Sequence, residues 1–145
     1  MCEFDFALPL EELEMKRDPI LAAIEEYKHT WQRLETLRKE IGEFERAHPG
    51  VTDCPRLVAM YGRETLLHEE VMEAAAAFAT TAPTTPAGVI AAVQFVCERY
   101  EAGDDLLNVF MAGTGAVRDI PCKEVFFGSL RQAMDEWFIR AHAAS

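Results

Sequence analysis

Glu64 and His68 are the residues of this chain whose types and spacing are best suited to acting together. Four positions apart, they share one face of a helix. Together with Leu57, Tyr61, Val71, Ala75 and Phe78 they recur in steps of three and four, which predicts that this face is a packed seam. A carboxylate and an imidazole held together away from water shift each other's proton affinity. Such a pair can serve as acid and base or as two ligands of a metal ion. The competing reading is structural, a polar contact that fixes the register of two packed helices.

Two further pairs have metal-ligand spacing, Glu26-x-x-His29 and Glu45-x-x-His48. Bundle proteins that hold two metal ions take a glutamate from each of two helices and such a Glu-x-x-His pair from each of two others. Here both pairs fall on one helix, on its polar flanks, and do not converge. Cys2, Cys54, Cys97 and Cys122 lack the paired spacing of a zinc knuckle or a redox dithiol, so reduced thiols are expected. The glycine-bearing run Ala112-Gly113-Thr114-Gly115-Ala116 follows no strand pattern and lacks the Gly-Lys-Ser/Thr ending of a phosphate loop, which leaves it as a hinge. No cofactor is implied by any of these groups.

The elements that must position these residues are helical. Ile20, Ile24, Tyr27, Trp31, Leu34, Leu37, Ile41 and Phe44 form one stripe of a first helix over residues 18–48, with Asp18 as N-cap, Pro19 in the first turn and Pro49-Gly50 as the stop. Thirty residues of helix span about 45 Å, more than a compact sphere of this chain length, so the molecule is either elongated or kinked at Gly42. A second helix over 54–80 follows after a connection short enough to make it an antiparallel neighbour. Thr85 and Pro86 start a third helix, 85–102, that turns Val89, Ile90, Val93, Val96, Cys97 and Tyr100 inward. A short helical piece over 104–111 and a C-terminal helix over 121–142 complete the set. Residues 1–17 alternate Phe4, Phe6, Leu8 and Leu10, the period of an extended arm that lays apolar side chains into a groove.

The fold class is therefore all-α, an elongated helical bundle of about four main helices built on a long antiparallel helical hairpin, in one domain. Half of the residues are hydrophobic and 27% are charged, the balance of a chain that buries a core. The net charge of −11 is spread without a basic segment, which argues against nucleic acid and against anionic membrane surfaces as partners. No apolar run approaches the roughly 18 residues of a membrane span, and the first residues carry no basic leader, so a cytoplasmic setting is expected.

The stretches Asp18-Pro19-Ile20-Leu21-Ala22-Ala23-Ile24-Glu25 and Pro83-Thr84-Thr85-Pro86-Ala87-Gly88-Val89 resemble a family of small uncharacterised alphaproteobacterial proteins. The resemblance covers roughly residues 18–102 and departs from the family pattern at Pro86, where a leucine is usual. It implies an all-helical fold and supplies no catalytic or binding residue.

The C-terminal helix carries Phe126, Phe127, Leu130, Met134, Trp137 and Phe138, an apolar stripe wider than one neighbour requires. These residues are the expected interface of a homodimer. The function read from the sequence is that of a non-enzymatic interaction or scaffold protein. The alternative is a small-molecule or metal-binding bundle, enzymatic or not, that uses Glu64 and His68.

Overall fold

A computed structural model describes residues 17–104, 106, 110–111 and 120–143 of the chain. Most of the described residues fall in four helices: α1 (Pro19–Ala47), α2 (Pro55–Thr80), α3 (Pro86–Glu101) and α4 (Cys122–Ala143). The fold is all-α. Between α3 and α4, β1 (Phe110–Met111) and β2 (Ile120–Pro121) meet in an antiparallel ladder with Phe110 opposite Pro121 and Met111 opposite Ile120. The alternating arm at residues 4–10 and the glycine run at 112–116 lie outside the described residues.

Helix α1 starts where its cap dictates. Asp18 holds an extended backbone and its Oδ1 accepts from the Ile20 N–H at 3.2 Å, while Pro19 occupies a first-turn position that needs no donor. The helix runs unbroken through Gly42 and ends at a turn in which Gly50 takes φ +83°, a left-handed conformation that favours glycine. Helix α2 returns alongside it. The pairs Arg33–Glu70, Arg38–Glu64 and Glu45–Tyr61 step in opposite directions along the two helices, which fixes the hairpin as antiparallel.

The buried stripe of α1 is Ile20, Ile24, Tyr27, Thr30, Leu34, Leu37 and Ile41. Thr30 is admitted because its hydroxyl donates to the Glu26 carbonyl at 2.7 Å, leaving no unmet polar group. Trp31 and Phe44 sit at the edge, half-buried. On α2 the expected seam needs correction: the buried residues are Leu57, Met60, Leu67, Val71, Ala74, Ala75, Phe78 and Ala79, while Tyr61 and His68 are exposed. Met60 and Leu67 are each one residue before the expected position, a rotation of about 100°. The face carrying a thioether and an isobutyl group removes more apolar area from water than one carrying a phenol and an imidazole, and it takes the seam.

Helices α3 and α4 cover only part of the hairpin, α3 packing on α1 and α4 on α2. The inward face of α3 also differs from expectation. Gly88, Ala92 and Phe95 are buried and Val89 and Val96 half-buried, whereas Ile90, Val93, Cys97 and Tyr100 face outward. Phe95 sets this phase: its ring meets Tyr27 at 5.6 Å and Phe78 at 5.4 Å, both edge-on, the geometry aromatic pairs prefer. Phe78 in turn stacks on Phe126 of α4 at 5.3 Å. One aromatic series thus joins all four helices.

No α-helix appears among the described residues of 104–111, where a short one is expected. Gly103, at φ +78°, turns the chain out of α3, Leu106 is buried in a 3₁₀ position, and Phe110–Met111 joins the ladder with Ile120–Pro121. A helix of two turns is marginal on its own, and Phe110 and Met111 pair with a second extended segment instead.

Candidate functional site

Glu64 and His68 do not form a buried pair. Glu64 lies half-buried at the seam and its Oε1 accepts from Arg38 Nε at 3.0 Å, an ion pair across the hairpin. His68 points outward from the next turn. The other pairs are likewise dispersed: His29 lies exposed on α1, and Glu45 accepts from the Tyr61 hydroxyl while the His48 ring packs on Phe44 at 4.4 Å. Among the described residues no three His, Cys, Asp or Glu side chains gather as a metal would require.

A groove of about 470 Å³ runs along the opposite flank of the hairpin, between His29, Arg33 and Glu40 of α1 and Arg63, Leu66 and Glu70 of α2. Its central cation and anion are engaged with each other, Arg33 meeting Glu70 at 2.7 Å with both side chains about half exposed. Charges matched in this way present mixed polarity and no convergent set of donors or acceptors to a small molecule.

Two polar clusters, the first buried and the second partly so, join residues that the sequence does not pair. In the first, Asp18 is 2% exposed, and its second carboxylate oxygen, Oδ2, accepts from the Thr84 N–H (3.1 Å), the Thr85 N–H (2.9 Å) and the Thr85 hydroxyl (2.7 Å). Thr85 then accepts from the Gly88 N–H at 3.0 Å, as its expected N-cap role requires. One carboxylate therefore caps α1 and organises the start of α3, and the two sequence stretches singled out above meet in space.

In the second cluster, Asp104 Oδ2 accepts from the Tyr27 hydroxyl and from Arg99 Nε, both at 2.7 Å. The Arg99 guanidinium also lies 4.8 Å from the Trp31 ring centre, a cation–π contact. Burial, reinforced by the hydrogen bond to Asp104, pushes the Tyr27 hydroxyl well above its ordinary range. It is held as a neutral donor, and the cluster ties the end of α3 to α1. The phenol, the guanidinium and the carboxylate engage one another, as a structural tie requires.

The residues predicted on α4 divide. Phe126 and Leu130 are buried, with Ala133, against the hairpin, and Trp137 is half-buried. That assignment corrects the place of Phe126 and Leu130 in the expected interface: these two belong to the core, because α4 must bury one stripe to dock on α2 at all. Phe127, Met134 and Phe138 remain 61%, 58% and 64% exposed. Spaced seven and four residues apart, they form a second stripe rotated about 100° from the first.

No family model matches the chain, and neither the curated proteins nor the solved structures give a match. No helix among the described residues is long and apolar enough to cross a membrane.

Proposed function

We propose that this chain is a non-enzymatic helical interaction protein that self-associates, and that the outer stripe of α4 is its contact surface. The observation that carries the reading is the exposure of Phe127, Met134 and Phe138 on one helix face next to a stripe already satisfied by the core. Large apolar groups aligned along three turns are costly to leave in water, and a second copy is the commonest partner that covers such a face. The reading assumes a cytoplasmic setting. It includes kinship with the small alphaproteobacterial helical proteins, whose two motif stretches correspond here to the Asp18, Thr84, Thr85 and Gly88 cluster.

Sedimentation equilibrium across the micromolar range tests it. The expected result is a species of twice 16.3 kDa that becomes a folded monomer in Phe127→Glu or Phe138→Glu. A wild-type chain that remains at 16.3 kDa throughout overturns the reading.

A further inference from the structure

The outer stripe of α4 has a direction written into it. Between Phe127 and Phe138 the same face carries Arg131 and Met134, so that the order along the helix is aromatic, cation, thioether, aromatic. Turned end for end, this face meets itself in register. A two-fold axis crossing α4 near residues 132 and 133 sets Phe127 against the partner's Phe138, twice by symmetry, and lays Arg131 over the partner's Met134. The flank beside the stripe obeys the same axis. Asp135 comes next to the partner's Arg131, so opposite charges meet there, twice by symmetry.

We infer that the self-association surface is an antiparallel pairing of α4 with α4 of a second copy, its register set by Arg131 and Asp135. The inference rests on the self-association reading above and adds the occupant's orientation. A parallel pairing would stack Arg131 on the partner's Arg131, and like charges inside a helical seam are a known means of excluding an alternative. In the antiparallel pairing the aliphatic stem of Arg131 covers Met134 of the second copy while its guanidinium reaches the neighbouring carboxylate. Arg131 and Asp135 are both exposed in the single chain, so this contact needs no unfolding.

Charge reversal in the full chain tests the register. Arg131→Asp alone sets carboxylate against carboxylate at two symmetry-related places, and Asp135→Arg alone sets guanidinium against guanidinium. Each should weaken dimerisation roughly ten- to a hundredfold, from the usual size of exposed pair energies counted twice and reversed in sign. Mixed one to one, the two variants restore both pairs and should form a heterodimer of about wild-type affinity. The double variant Arg131→Asp/Asp135→Arg should do the same with itself, which keeps the test valid if one single variant folds poorly. A wild-type dimer that is indifferent to both reversals, or variants that fail to recover on mixing and in the double variant, overturns this register and leaves self-association standing. A wild-type monomer overturns the broader reading and this one with it.

Discussion

The carboxylate of Asp18 occupies the space in which any residue other than glycine at position 88 would have to place its side chain. A Cβ on Gly88 would overlap Asp18 Oδ2 and press on Ile20. The helical glycine of α3 is there to admit a buried acceptor from the start of α1.

Gly88→Ala should therefore reverse the usual sign. Replacing a helical glycine with alanine normally stabilises by up to about 1 kcal/mol. Here the change must displace a carboxylate that accepts four hydrogen bonds, and urea denaturation should show a loss of about 2 to 3 kcal/mol, the scale of overpacking with broken buried contacts. A stabilised Gly88→Ala protein would mean that Asp18 does not sit against α3.

Thr85→Ala removes both the cap on Gly88 and the hydroxyl given to Asp18, and should cost about 1 to 2 kcal/mol. Thr81→Ala removes only a bond from its hydroxyl to the Ala77 carbonyl at the end of α2, and should cost under about 0.5 kcal/mol. Equal losses at the two positions would contradict the shared cap.

Alkaline pH should expose the buried phenol. The Tyr27 pKa is higher in the folded chain than in the unfolded one, so its contribution to stability is complete below about pH 10 and declines as pH rises past that point. Comparing wild type with Tyr27→Phe cancels the other titrating groups. Between about pH 9 and 11.5 wild type should lose up to about 1.4 kcal/mol per pH unit more than the variant, with the excess confined to pH above 10. Parallel pH profiles for the two proteins would show that the hydroxyl is neither buried nor held by Asp104.

The phase of α2 is testable at adjacent residues. Leu67→Ala should cost about 2 to 4 kcal/mol and His68→Ala less than about 0.5 kcal/mol, because the first is buried at 8% exposure and the second faces water. The opposite order would return His68 to the seam and revive its pairing with Glu64.

Much of the fold is legible in the sequence because its signals are local. The stripe of α1, the prolines that open α1, α2 and α3, and the caps at Asp18 and Thr85 depend on residues within a turn of one another. The seam of α2 was ambiguous for a definite reason: Leu57, Val71 and Phe78 are compatible with either Tyr61 and His68 or Met60 and Leu67 between them. Only the partner helix decides. Phe95 does not stand out in the sequence because β-branched neighbours dominate the pattern of α3, although a single large ring between Tyr27 and Phe78 outweighs them. The second oxygen of Asp18 and the bond from Tyr27 to Asp104 could not be read at all, since their partners lie 66 to 77 residues away in sequence.

That separation gives the Asp18 knot a place in time as well as in space. Closing a loop from Asp18 to Thr84 in an unfolded chain is entropically costly, but the hairpin of α1 and α2 brings the start of one helix beside the end of the other and removes most of that cost. The hairpin should therefore form first, with the carboxylate engaging α3 after the rate-limiting step. Disrupting Thr85 would then leave the refolding rate nearly unchanged and speed unfolding about five- to thirtyfold, the whole of a 1 to 2 kcal/mol loss appearing in one arm of the chevron. The knot is a latch that sets how long the folded chain survives, and it has little bearing on how quickly that chain is made.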